Sequence, residues 1–242
     1  TMRDANPFGH GKVTFKEAFA VSSNVAFSTL IFDNYAHQPR KFLKELHKLN
    51  ITKPLGLRIA GEGQPVFKSP SDKDWSGITL PWMSVGYELQ MTPLQMLALY
   101  NAIANDGKMM KPQLVTSVKK VDRTKLEFKK EIIEKHICSK KTVEQVQEMM
   151  VEVVEHGTAN NIFTESYKIA GKTGTSLIAS EGSYDKKKTY QASFAGFFPA
   201  DEPKYSIIVV INNPKAGKIY GAQVAAPVFR EISDTGLAAS FL

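Results

Sequence analysis

The hydrophobic period of this chain shifts near Gly157 from mainly helical to mainly alternating, and that change restricts the fold more than any other feature. Before it, apolar residues recur at helical spacing. Thr14 and Glu17 form a capping-box pattern ahead of Phe15, Ala18 and Phe19, and this helix stops at Ser22-Ser23-Asn24. A second apolar run covers Val25 to Phe32, and Pro39 opens a helix whose Phe42, Leu43, Leu46 and Leu49 share a face. From Pro54 to Pro81 the sequence is polar and rich in Gly and Pro, which predicts a long irregular loop. Thr92, Pro93 and Gln95 then start a helix that Gly107 ends; it is apolar nearly all round and is expected to be buried. Residues 114–130 alternate like an exposed hairpin. Ser139 to Gly157 is an amphipathic helix with Val143, Val146, Met149, Met150, Val153 and Val154 on its inner face.

Beyond Gly157 the period becomes two. Tyr167 to Thr175 reads as extended, and Tyr190, Ala192 and Phe194 alternate with Gln191 and Ser193 as in a half-buried strand. Tyr205 to Ile211 is a continuous apolar run of the kind found in a central strand, and a last helix runs from about Ala222 to Leu237. Short turns between strands imply antiparallel pairing. The order predicts an α+β fold: a helical part, about 11–110, and a sheet-containing part, about 111–242, its antiparallel sheet flanked by helices. A chain of 242 residues can bury a sizeable core in such an arrangement.

Composition narrows the function classes. The net charge of +7 is modestly basic, but the lysines lie in scattered pairs and one triplet, Lys186 to Lys188, without interleaved aromatics. That is the pattern of solvated faces and not of a nucleic-acid groove, and it leaves open attraction to an anionic surface such as membrane or cell wall. The single Cys138 excludes an internal disulfide framework, and the histidines are too far apart to suggest a metal site. No segment approaches the ~18 uninterrupted apolar residues of a membrane span. The opening, TMRDANPFGHG, reads like the middle of a domain.

The stretch SYKIAGKTGTS, residues 166–176, contains a Gly-Lys-Thr that two chemistries could use. A phosphate loop needs a glycine five positions before Gly171, where Ser166 stands, and it should open a helix. Here a polar loop follows instead. The other unit is Lys172-Thr173-Gly174, followed by Thr175, on an edge strand. Lysine places a cation beside a reacting centre, threonine hydroxyls bind a carboxylate, and glycine clears space for a substrate backbone along the strand. Gly171 is on this reading only a lead-in. Ser22-Ser23-Asn24 is by itself an ordinary helix cap, but together with Lys-Thr-Gly downstream it forms two parts of a three-part acyltransferase signature.

The blocks FKEAFAVSSNVAFSTL, MSVGYELQMTPLQMLALYNAIANDGKMMKPQLV, HGTANN, IAGKTGTS and ASFAGFFPADEPKYSIIVVINNP resemble the transpeptidase domain of class B penicillin-binding proteins, cell-division type, over nearly the whole chain and in family order. The family's nucleophile is a serine in Ser-x-x-Lys that precedes Ser-x-Asn and opens a buried helix. Ser117 to Lys120 and Ser183 to Lys186 have that spacing, but both follow Ser22 and neither opens an apolar helix. The nucleophile is therefore expected outside this chain, which then represents a partial domain.

The resemblance implies a role for each remaining residue. Ser22 would relay protons, and Asn24 would orient the family's Ser-x-x-Lys lysine and bond the substrate amide. Lys172 and Thr173 would hold the terminal carboxylate with help from the Thr175 hydroxyl, and the Thr175 N–H would donate to the oxyanion. It implies peptidoglycan stem peptides as substrates, β-lactams as inhibitors, division membrane proteins as partners and no metal or cofactor. It also implies a place on the extracytoplasmic, periplasmic face of the inner membrane, held by an N-terminal anchor. A serine β-lactamase, a β-lactam sensor and a division scaffold are the competing functions.

Overall fold

A computed structural model of the chain describes residues 2–121, 123–178, 189–215 and 217–239. The Lys186–Lys188 triplet and the Ser183–Lys186 string lie outside the described residues. Helix α1 (Phe15–Ala20) begins as expected, with Thr14 Oγ1 accepting the Glu17 N–H at 3.2 Å and the Glu17 carboxylate accepting the Thr14 N–H at 2.7 Å. α2 (Asn24–Tyr35) and α3 (Pro39–Lys48) follow. The stretch from Pro54 to Pro81 is not wholly irregular: β1 (Val66–Phe67) pairs with β2 (Leu89–Gln90), and α4 (Thr79–Ser84) starts inside it. Elements of two and six residues carry too little periodicity to register in a sequence window.

α5 (Pro93–Ala104) has the expected capping box at Thr92 and Gln95. The short strand β3 (Met109–Met110) and the hairpin of β4 (Ser117–Lys120) and β5 (Arg123–Glu127) come next. β6 (Ile132–Glu134) returns to pair with β3, and α6 (Lys140–Glu155) buries Val143, Met150, Val153 and Val154. The main sheet contains β7 (Ala170–Ile178), β8 (Thr189–Phe198) and β9 (Tyr205–Asn212), all antiparallel. α7 (Gly221–Val224) and α8 (Ala226–Ala239) divide the expected closing helix in two. Among the described residues no helix is long and apolar enough to cross a membrane.

The strand order β7-β8-β9 reverses two expectations. The strand at 189–198, expected to be half-buried, is central, with Phe194 and Phe197 at 0% exposure and Phe198 at 1%. The run Tyr205 to Ile211, expected to be central, lies on β9, which pairs only with β8 among the described residues. Its continuous apolar run arises because α5 and α8 both pack on β9, so hydrophobicity here reports covered faces rather than paired edges.

Register and cluster membership place the core on both sides of the sheet. Phe194, Ile207, Val209 and Ile211 pack with Val153, Val154 and Phe229, the Phe194 and Phe229 rings meeting edge-on at 4.8 Å. Ala170 and Phe197 pack on the other face with Met150, Tyr100 and Ile103. Phe19, at the end of α1, touches both clusters. Among the described residues this leaves β7 at the edge of the sheet, with the end of α1 beside it through Phe19 and Lys172.

Candidate active site

One wall of the site is β7 itself. Lys172, Thr173, Gly174 and Thr175 lie opposite Ala195, Phe194, Ser193 and Ala192 in an unbroken ladder. Alternation along the strand puts Lys172 and Gly174 on one face and Thr173 and Thr175 on the other. The Lys172 Nζ stands 5.7 Å from the centre of the Phe19 ring and donates to the Thr173 carbonyl at 3.5 Å. Lys172 is partly buried, and desolvation of its ammonium pushes it down from the usual lysine range to about 8. At neutral pH it is thus mostly charged yet able to give up a proton. Thr173 Oγ1 lies 2.8 Å from Thr158 Oγ1. The Thr175 hydroxyl oxygen accepts the Gly221 N–H at 3.1 Å, which leaves its own proton available to a ligand.

Glycines shape this wall more than the sequence suggested. Gly171 is not a mere lead-in: a Cβ there would enter the Phe194 ring and lie 2.9 Å from the Ala195 carbonyl oxygen. At Gly174 a Cβ would come within 2.5 Å of Ser193 Oγ, and at Gly221 it would lie 2.6 Å from the Gly174 carbonyl oxygen.

The other wall is the turn between α1 and α2. The Ser22 N–H donates to the Phe19 carbonyl at 3.2 Å and the Ser23 N–H to the Ala18 carbonyl at 2.9 Å. This pair of bonds closes α1 as a Schellman motif, in which the residue after the cap adopts a left-handed conformation. Glycine is usual at that place. Here it is Ser22, at φ 57°. A serine there costs on the order of 1 kcal/mol relative to glycine, and such strain persists only where neighbouring bonds enforce it.

The enforcing bonds come from both sides. Ser23 is buried and caps α2 by accepting the Ala26 N–H at 3.1 Å. Its hydroxyl lies 3.0 and 3.2 Å from the two Asp4 carboxylate oxygens, and Asp4 also accepts the Val25 N–H at 3.0 Å. The Asn24 side-chain amide donates to the Arg3 carbonyl at 3.1 Å. Arg3 and Asp4 were not among the expected site residues. A contact made across 19 residues leaves no periodic signal, although an aspartate able to cap a downstream helix is a recognisable type.

Among the described residues no hydrogen bond runs directly from Ser22 or Asn24 to Lys172–Thr175. The last turn of α1 joins the walls: Phe19 faces the Lys172 ammonium, and the Ala20 carbonyl accepts the Thr158 N–H at 3.0 Å. Ser117 lies on β4 and does not open a helix. Glu152, Glu155 and His156 place three ligand atoms within 4.8 Å of one another, but Glu152 is already paired with Lys16 at 2.7 Å and His156 at 3.0 Å.

The family described as the penicillin binding protein transpeptidase domain matches residues 2–234. The chain belongs to that family. Its relatives include peptidoglycan D,D-transpeptidase FtsI of Buchnera aphidicola subsp. Baizongia pistaciae, 32% identical over 92% of this chain and 37% of that protein. The FtsI of Escherichia coli K12 is 31% identical over 92% of this chain and 35% of its own length. Penicillin-binding protein 3 of Mycobacterium tuberculosis, solved with aztreonam, superposes with a TM-score of 0.83 at 28% identity, over 100% of this chain and 55% of that one. The chain spans little more than a third of the length of these curated relatives. Its helices and antiparallel sheet are those of the penicillin-binding transpeptidase fold, within the cell-division branch of the family.

Proposed function

We propose that these residues are the substrate-holding part of a peptidoglycan D,D-transpeptidase that crosslinks stem peptides during septal wall synthesis and is a target of β-lactams. The chain would form a partial domain, with a helical part about 11–110 and a sheet-containing part about 111–242. The observation that carries this reading is that Lys172–Thr175 lie on β7, at the edge of the sheet among the described residues, beside the α1 turn that holds Ser22 and Asn24.

A serine from a Ser-x-x-Lys segment outside these 242 residues attacks the penultimate D-alanine carbonyl of the donor peptide and expels the terminal D-alanine. Ser22 passes a proton between the lysine of that segment, Lys172 and the leaving amine. Asn24 orients the lysine and bonds the substrate amide. Lys172 and Thr173 hold the terminal carboxylate, assisted by the Thr175 hydroxyl. Gly174 lets the peptide lie against the strand, and the Thr175 N–H donates to the oxyanion; losing one such donor costs roughly 10²–10³ in rate. An amine from a second peptide completes the crosslink. The whole protein acts at the extracytoplasmic face of the inner membrane, anchored there and associated with division membrane proteins.

A fluorescent penicillin followed by denaturing electrophoresis tests this reading. The 242 residues alone are expected to remain unlabelled, and a protein that joins them to the Ser-x-x-Lys segment is expected to label on that serine. Label on Ser117, Ser183 or another residue of the chain would contradict it. Slow deacylation distinguishes a transpeptidase from a β-lactamase. Transfer of D-amino acids into a stem peptide distinguishes it from a sensor or scaffold.

A further inference from the structure

We infer that Thr158 is a positioning residue that joins the two walls of the site and sets the Thr173 hydroxyl for the substrate's carboxylate; this rests on the transpeptidase reading. Thr158 bonds both walls at once. Its main-chain N–H holds the Ala20 carbonyl at 3.0 Å, two residues before Ser22, and its hydroxyl lies 2.8 Å from that of Thr173. The neighbouring Gly157 shows how close this approach is, since a Cβ there would run into the Ala20 carbonyl.

Proton bookkeeping gives the pair a direction. A threonine hydroxyl has one proton and two lone pairs. If Thr173 donates its proton to a carboxylate, the 2.8 Å contact requires Thr158 to be the donor to Thr173. Thr158 thereby fixes the Thr173 rotamer, orients its proton toward the ligand and polarises it as one link of a hydrogen-bond chain. No bond is made or broken at Thr158. A valine at this place would fill the same volume and keep the bond to Ala20, losing only the hydroxyl.

The test is acylation by a fluorescent penicillin in a protein that joins this chain to the Ser-x-x-Lys segment. In Thr158→Val the second-order acylation rate is expected to fall about tenfold, through weaker initial binding and not through the acylation step. Thr158→Ser is expected to restore it. A penicillin methyl ester, which lacks the carboxylate, is expected to react equally with Thr158→Val and wild type. In a Thr173→Val background, adding Thr158→Val is expected to cause no further loss.

An unchanged rate in Thr158→Val, or an equal loss with and without Thr173, overturns the inference. If Thr158→Val melts several degrees lower, the comparison of acid and ester carries the test. A tenfold loss with the penicillin that is absent with its methyl ester supports the inference, and an equal loss with both overturns it. A wild type that is not acylated, or Lys172→Ala acylated at the wild-type rate, sinks the transpeptidase reading and this inference with it.

Discussion

The two walls of the site are built by opposite means. Lys172–Thr175 sits on a continuous ladder whose position the whole sheet determines, with core on both faces. Ser22–Asn24 is a turn held in a left-handed conformation by individual side chains, chiefly Ser23 and Asp4. Damage to the first wall should therefore be global and cooperative, and damage to the second local.

The largest effect is expected from Phe229→Ala. Phe229 is fully buried against Phe194 and Phe198 behind the sheet, so its loss should destabilise the chain by about 3–5 kcal/mol in urea unfolding. A loss below about 1 kcal/mol would deny that this cluster supports the β7 wall.

Lys172→Met comes next. Because burial lowers the folded-state pKa of Lys172 to about 8 from 10.5, the native state binds its proton less firmly than the unfolded state. Lys172 thus costs stability at neutral pH, and the cost is relieved as pH rises from 8 to 10.5. The variant should be about 2–3 kcal/mol more stable at pH 7, the gap closing toward pH 10. Paired denaturation curves at the two pH values check this; a gap that stays constant or widens would refute the burial argument.

Asp4→Ala removes three hydrogen-bond contacts from the turn, an expected loss of about 1–2 kcal/mol. Hydrogen exchange should show faster exchange at Val25 and Ala26 with the β8 amides unchanged. Uniform loss of protection across the sheet would erase the contrast between the walls. The smallest effect is a gain: Ser22→Gly should raise stability by about 1 kcal/mol by relieving the left-handed strain.

How much of this could be read in the sequence follows the same division. The capped helices α1, α5 and α6, the β4–β5 hairpin and the motif strand were legible because caps and periods are local signals. The central place of β8 was not, because strand order depends on pairing across the chain and β9 is covered well enough to look central. At the candidate site, the motifs at Ser22–Asn24 and Lys172–Thr175 stand out in the sequence, but the contacts that hold them do not. Arg3 and Asp4 act through contacts 19–21 residues distant, Thr158 through contacts with Thr173 and with the far more distant Ala20, and Gly171 through a ring on the neighbouring strand.

On the transpeptidase reading, the left-handed turn at Ser22 is kept for chemistry and not for folding. Ser22→Gly tests it most directly, in a protein that joins this chain to the Ser-x-x-Lys segment, by measuring fluorescent-penicillin acylation beside the melting temperature. A higher melting temperature is expected, with acylation slower by about 10²-fold or more, the size of a lost proton relay. A variant that is more stable and still acylates at the wild-type rate would contradict it.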